Sequence, residues 1–135
     1  MAEIKRLPDS EFEVMEIIWD NTPSTPMTTA QILDKLKSKR DIKIQTMLTM
    51  LTRLMDKGFL SSEKVGMKRK HTPLISKMEY IQAETKGFAA RYYIKSVRNL
   101  ISTFYDEQEL SPAEIQDIRV WLDEKVSNSD LHGAV

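Results

Sequence analysis

The sequence predicts a mainly α-helical protein that contains one β-hairpin. Apolar residues recur at helical spacing over most of the chain, and two short strands joined by a glycine turn interrupt this pattern. The chain has 135 residues, of which 41 % are hydrophobic and 30 % are charged. This composition is typical of a protein with a buried core. The length suits one ordinary domain, or a small domain with an appended helical piece.

Helical spacing and capping residues define the first two helices. Asp9 or Ser10 can cap helix 1, since Ser10 and Glu13 have the spacing of a capping box. Thr28 and Gln31 form a second such box at the start of helix 2. Two prolines in residues 21–26 predict a loop between these helices, because proline blocks helix continuation. The apolar residues of helix 1 are Phe12, Met15 and Trp19.

The third predicted helix is strongly amphipathic, and a glycine, Gly58, ends it in the left-handed conformation. Its predicted apolar face consists of Ile44, Met47, Leu48, Leu51, Leu54 and Met55. Its polar face carries Thr46, Thr49, Arg53 and Asp56, with Lys43 and Lys57 on the flank. The first face is expected in the core, and the second is a candidate binding surface.

Threonine is unexpectedly frequent in this helix. It is a mediocre helix former, yet it occurs at Thr46, Thr49 and Thr52, so helix propensity alone does not explain the choice. A threonine hydroxyl can bond a phosphate or a base edge, and its methyl can contact the methyl of thymine. The alternative is a solvated polar face whose threonines bond back to the helix backbone.

A β-hairpin with a basic second strand follows helix 3. The two strands cover residues 59–65 and 68–72 around Gly66-Met67. Three helices followed by such a hairpin is the order of a winged helix-turn-helix, whose second paired helix enters the major groove of DNA. Phosphate contact is then the natural role of the basic residues. The alternative is a charged edge strand that prevents edge pairing. The basic residues are Lys64, Lys68, Arg69 and Lys70.

The second half of the chain is predicted to be helical and to form a dimer. One helix starts at the capping pair Ser76 and Glu79 and runs to Tyr105, with a bend at Gly87, and a last helix starts at residues 111–114. The apolar residues of this half of the chain exceed what two isolated helices can bury, so we expect a second copy to cover them. The alternative is packing against the first domain. The predicted dimerisation residues are Tyr92, Val97, Leu100, Ile101, Phe104, Ile115, Ile118, Trp121 and Leu122.

The formal net charge of zero conceals a division of charge along the chain. Residues 35–72 contain eleven basic and three acidic residues, a balance of +8, whereas residues 101–135 contain two basic and eight acidic residues, a balance of −6. This asymmetry indicates two roles in one chain. We therefore expect a DNA-binding winged-helix domain over 1–75, a helical dimerisation domain over 76–126 and a flexible tail over 127–135.

Catalysis and metal binding have little support. The chain has no cysteine, and its two histidines, His71 and His132, lack a neighbouring nucleophile, a glycine-rich phosphate loop or metal-ligand spacing. We expect neither an enzyme nor a cofactor, metal or small-molecule substrate, and we expect His71 to be a wing or interface side chain. The sequence lacks both a signal peptide and an apolar run of about 18 residues, which predicts a cytoplasmic protein.

The segment at residues 46–58, TMLTMLTRLMDKG, resembles the recognition helix of the penicillinase-repressor (BlaI/MecI/CopY) family, whose pattern is T-x-x-T-x-L-x-R-L-x-x-K-G. Residues 11–15 with Trp19 resemble helix 1 of the family, and Thr72-Pro73 its wing exit. Phe88 with residues 91–93 resembles its first dimerisation helix, and residues 111–115 the start of its last helix. Almost the whole chain is covered by the resemblance.

The resemblance implies a homodimer that binds inverted-repeat operators in double-stranded DNA and represses nearby promoters. In many members a membrane sensor metalloprotease leads to cleavage in the dimerisation region. By position, Thr46 and Thr49 read bases and Gln45 and Arg53 touch the backbone. The wing residues Lys68 and Arg69 hold phosphate, and Lys43 joins this predicted DNA-binding set.

Three departures separate this chain from family patterns. The cleaved Asn-Phe bond of the β-lactam repressors corresponds here to Thr103-Phe104. In the wing, Met67 stands where arginine is common and His71 where tyrosine is. The cysteine cluster of the copper-responsive members is missing, so copper sensing is not expected.

A winged-helix module that binds a partner protein instead of specific DNA is the alternative function.

Overall fold

The computed structural model describes residues 3–21, 26–92 and 94–133, and of residues 130–133 only the backbone. The residues fall into two compact units, one ending at Phe88 and one starting at Ala89. No helix in the described ranges combines the length and apolarity needed to cross a bilayer. The elements are α1 (Asp9–Asp20), β1 (Met27–Thr28), α2 (Thr29–Lys37), α3 (Ile44–Asp56), β2 (Leu60–Val65), β3 (Lys68–Pro73), α4 (Lys77–Arg91), α5 (Val97–Asp106) and α6 (Pro112–Gly133).

The predicted hairpin is confirmed, and the structure adds a third strand to it. The short strand β1 pairs antiparallel with β3, which gives the sheet order β1-β3-β2. The pairs are Met27 with His71 and Thr28 with Lys70. A strand of two residues has no periodicity, so the sequence pattern contains no sign of it. Residues 22–25 of the predicted loop lie outside the described residues.

The core of the first unit lies between the three helices and the base of the sheet, and an aromatic cluster closes it. The Tyr80 ring of α4 has centroid distances of 5.6 Å to Phe12, 5.9 Å to Trp19 and 5.6 Å to Phe59. Its hydroxyl accepts a 2.9 Å hydrogen bond from the Leu7 backbone N–H. Because Tyr80 belongs to this core, the start of α4 joins the winged-helix unit. The expected domain boundary after residue 75 precedes α4, whereas the first compact unit extends to Phe88.

Capping pairs start three of the helices as predicted, and one predicted pair is wrong. The Thr28 hydroxyl accepts from the Gln31 N–H at 3.2 Å, and the Gln31 side chain accepts from the Thr28 N–H at 2.9 Å. Equivalent bonds form at residues 76 and 79 and at residues 111 and 114. In α1, by contrast, Pro8 occupies the cap without a side-chain bond, and Glu13 accepts instead from Arg40 Nε at 3.2 Å.

The long helix predicted from Ser76 to Tyr105 is wrong, because it is two helices. The backbone leaves α4 after Arg91, and Ser96 starts α5 by accepting a hydrogen bond from the Asn99 N–H at 3.2 Å. A serine cap can therefore begin a new helix where no proline or glycine interrupts the sequence. Gly87, the expected bend, lies inside α4.

The last helix is longer than expected. It continues to Gly133, through most of the predicted tail over 127–135. No proline or further glycine follows Pro112 before Gly133, so the hydrogen-bond ladder of α6 has no local cause to stop earlier. Residues 134 and 135 lie outside the described residues.

Candidate nucleic-acid interface

The orientation of α3 decides which of its side chains can meet a ligand. Its buried residues are Met47, Met50, Leu51 and Leu54. The predicted apolar face is therefore wrong at two positions, because Ile44 and Leu48 are 47 % and 37 % exposed. Met50 was not predicted to be buried and takes part in the core instead. Met50 lies on one side of the buried row of Met47, Leu51 and Leu54, and Ile44 and Leu48 lie on the other. Because both sides are apolar, periodicity alone could not show which of them faces the core.

The crest of the exposed face of α3 runs along Gln45, Thr49 and Thr52. The Thr49 hydroxyl donates a 3.0 Å hydrogen bond to the Gln45 carbonyl, and the Thr52 hydroxyl donates an equal one to the Leu48 carbonyl. The back-bonded threonines of the alternative interpretation are thus present. Each hydroxyl oxygen can still accept a hydrogen bond, and each methyl is still available to an apolar partner. Thr49 can therefore act as an acceptor and as an apolar contact.

One flank of α3 forms a groove of about 710 Å³ with the start of α1 and the segment between α2 and α3. It collects four of the predicted site residues, Lys43, Thr46, Thr49 and Arg53. Gln45 lies on the crest beside it. The remaining lining residues are Ser10, Arg40, Asp41, Ile42 and Met50.

Arg40 is a groove residue that sequence reasoning did not select. Its guanidinium is ion-paired with Glu13 of α1, and half of its side chain remains exposed. The pair fixes the segment between α2 and α3 against α1. The only sequence signal for Arg40 was its place in the basic stretch of residues 35–72.

The wing places its basic residues on the outer part of the hairpin. Lys68 and Arg69 are exposed on β3 and pair across the ladder with Val65 and Lys64. Gly66 makes the turn in the left-handed conformation, with a φ of 64°. At Lys70 and His71, β3 is the middle strand of the sheet, because β1 pairs with it there. The interpretation of β3 as a charged edge strand is therefore wrong at that end.

His71 is buried where the wing meets α2. Its Nδ1 lies 2.6 Å from the Ser62 hydroxyl of β2, and its Nε2 lies 2.8 Å from the Thr29 hydroxyl of α2. A neutral ring, with one donor and one acceptor nitrogen, satisfies both hydroxyls. Burial lowers the pKa of His71 below its usual value, and the positive charge of Arg69 lowers it further. His71 is thus a wing residue, and it connects the hairpin to α2.

The second unit exposes its apolar side chains. No described side chain from Ala89 to Ser129 is fully buried. Among the predicted dimerisation residues, Leu100, Ile101 and Ile118 are half-buried. The exposed ones are Tyr92, Val97, Phe104, Ile115, Trp121 and Leu122. Thr103 and Phe104 of the expected cleavage position are adjacent on α5, and both are exposed.

Comparison with known proteins agrees with this architecture. The family model of the penicillinase repressor matches residues 7–124. A penicillinase repressor from Bacillus licheniformis is 30 % identical over 124 residues, which cover 92 % of this chain and 94 % of the relative. The methicillin resistance regulatory protein MecI from Mammaliicoccus sciuri is 27 % identical over 119 residues, covering 88 % and 94 %.

A solved structure matches the first unit. The solution structure of the DNA binding domain of the repressor BlaI superposes with a TM-score of 0.51 at 32 % identity, covering 59 % of this chain and 94 % of that one. This confirms the predicted winged-helix fold. A family of repressors also agrees with the expectation that the chain is not an enzyme. Since the family model matches most of the sequence, the chain belongs to the penicillinase repressor family.

Proposed function

We propose that this chain is a dimeric, sequence-specific DNA-binding repressor that binds inverted-repeat operators. The observation that carries the proposal is the exposed face of α3, where Thr46, Thr49 and Arg53 border one groove, in a unit whose wing also exposes basic residues. A helix enters the major groove through such a face, and short side chains allow its backbone to approach the bases. The solved structure that resembles the first unit is the DNA binding domain of the repressor BlaI.

In this proposal the side chains divide into base-reading and phosphate-binding groups. Thr46 and Thr49 read base edges, with Thr49 as an acceptor because its proton is bound to the Gln45 carbonyl. Lys43, Gln45 and Arg53 contact the DNA backbone around the helix. Lys68 and Arg69 of the wing contact phosphate beyond it. The charge balance of +8 over residues 35–72 supports this assignment.

The second unit supports the dimer in this proposal. Its apolar side chains are exposed in the single chain, and burying them against a second copy lowers the free energy by removing apolar area from water. A two-fold dimer presents two copies of α3, which fits an operator of two inverted half-sites. The acidic residues of this unit are then expected to lie away from the DNA.

Release by proteolysis is part of the same proposal, with a membrane sensor metalloprotease as the triggering partner. The bond between Thr103 and Phe104 lies inside α5, where the carbonyls of both residues accept backbone hydrogen bonds, from Glu107 and Glu109. Cleavage therefore requires the end of α5 to open locally. Mass spectrometry of the chain from induced cells tests this step, and a fragment that ends at Thr103 is expected.

The function is tested by selecting genomic fragments that the purified full chain binds. We expect recovery of a short inverted repeat next to a promoter, and salt-sensitive binding to it that is stronger than binding to random duplex of equal length. Equal binding to both duplexes, or no binding to either, would overturn the proposal. Recovery of a protein partner instead would favour the winged-helix interaction module.

A further inference from the structure

We propose that Ile44 and Leu48 form an apolar reading surface on α3 that contacts thymine methyl groups in the operator. This inference rests on the proposed function and adds to it a base type and two specificity residues. Both side chains were expected in the core from their spacing, yet they are 47 % and 37 % exposed. In the same helix Met47 and Leu51 are at most 1 % exposed. The rotation of α3 about its own axis, which buries one face of the helix against the core, therefore determines the exposure of both side chains.

The position of the two residues on α3 supports this assignment. They are one helical turn apart and lie on the side of the crest opposite the groove, so Gln45 and Thr49 separate them from Arg53. Further along the same side, the Met55 sulfur accepts a 2.9 Å hydrogen bond from the Ser62 hydroxyl of β2. The apolar pair thus occupies the flank of α3 that is turned toward the wing.

DNA is the partner that fits this surface. The pair continues the face that carries Thr49 and Thr52, and cations border the same helix at Lys43 and Arg53, as a polyanion requires. In the major groove only thymine presents an apolar group, its C5-methyl, among the four bases. A face that combines hydroxyls with a branched aliphatic pair therefore discriminates A·T pairs from G·C pairs.

Removal of the methyl groups from the DNA tests this directly. The operator recovered with the full chain is synthesised with thymine, and again with deoxyuridine at one thymine at a time, which keeps Watson-Crick pairing and removes only the methyl. We expect a loss of about fourfold in affinity for each contacted methyl, as for burial of one methyl-sized group. At least one such position is expected in each half-site.

Protein variants assign the loss to the proposed residues. In Leu48→Ala or Ile44→Ala the uracil penalty should fall toward onefold at one position, because the partner of the methyl is already gone. Leu74→Ala removes a leucine that follows the hairpin and is more exposed than Leu48, and this variant should keep the full penalty. Lys68→Ala should weaken binding to both duplexes by the same factor.

The outcomes separate this inference from the proposed function. Equal affinity of the unaltered protein for the thymine and uracil operators would overturn the inference while leaving specific binding intact, and this measurement needs no variant to fold. A uracil penalty that persists in full in both alanine variants would also overturn it. Absence of any specific duplex would overturn both.

Discussion

The carboxylate of Glu11 lies 2.6 Å from the ammonium of Lys57 and joins the first turn of α1 to the residue that caps α3. Glu11 is only 2 % exposed, so water does little to stabilise its charge. The lysine is its ion-pair partner, and it comes from the helix proposed to read DNA. The pair therefore fixes the end of α3 against α1.

Replacing Lys57 by methionine should lower the free energy of unfolding by about 3 kcal/mol, because it leaves a buried carboxylate without its partner. Chemical denaturation at neutral pH measures this. Adding Glu11→Gln to the same variant should restore part of the stability, since the uncompensated charge is then removed. A single variant as stable as the unaltered protein would contradict this role of the pair.

Thr49→Ala should weaken binding to the operator by about 1–3 kcal/mol and leave binding to random duplex nearly unchanged, as expected for a base contact. Thr49→Val is the matched variant, because it keeps a methyl and removes the hydroxyl oxygen that can accept a hydrogen bond. Fluorescence anisotropy with both duplexes distinguishes the two contributions. If Thr49→Ala weakens both duplexes equally, the residue does not read sequence.

Lys68→Ala should weaken all DNA similarly, because its ammonium is proposed to neutralise a phosphate. The slope of log affinity against log salt concentration should become shallower by about 0.9, the value for one phosphate that the protein no longer neutralises. Titrations at several salt concentrations measure it. Glu63→Gln, on the opposite strand of the wing, removes a negative charge and should not make the slope shallower. An unchanged slope in Lys68→Ala would exclude the phosphate contact.

Stability should decrease as the pH falls below about 6.5, the usual pKa of histidine. Burial holds the pKa of His71 below this value, so in this range the unfolded chain binds a proton that the folded chain does not. The loss reaches at most about 1.4 kcal/mol at one pH unit below 6.5. Denaturation curves at pH 7.5 and 5.5 measure it.

The control for this effect is His71→Gln, which removes the titrating ring and retains His132. The difference between the two pH profiles therefore reports His71 alone. Identical profiles for the unaltered protein and the variant would contradict the assignment.

The chain should sediment at twice the mass of one chain, and Leu122→Glu should shift it toward the monomer by placing a charge in the apolar contact. Val120→Glu is the matched control. Val120 is equally exposed on α6, but it lies on the side away from Ile115 and Leu122. Its variant should remain dimeric. Dissociation of both variants alike would argue against the predicted interface.

Local signals in the sequence were sufficient for most of the fold. The capping pair of Thr28 and Gln31 predicted the start of α2, and Gly58 adopts the left-handed conformation expected after α3, with a φ of 84°. Both features depend on residues close in sequence. The winged-helix order followed from them without any long-range information.

Long-range contacts explain what the sequence could not predict. Ser10 and Glu13 have capping spacing, yet Glu13 pairs with Arg40, which is distant in sequence. The two-residue strand β1 exists because β3 lies beside it. The exposure of Leu48 depends on how the neighbouring helices seat α3. In the candidate site, the sequence predicted the polar and basic residues of α3, but it did not predict that Ile44 and Leu48 are exposed on the same helix.

Thr28 ends β1 and also caps α2, and the Thr29 hydroxyl beside it bonds to His71 of β3. Rotation of the wing relative to α2 would have to break the pairing of β1 with β3 and the partly buried hydrogen bond between Thr29 and His71. These two contacts join the wing to the helix-turn-helix at this junction. In the proposed complex they also hold the distance between the bases that α3 contacts and the phosphates that the wing contacts, so an operator with a different spacing would itself have to deform to fit.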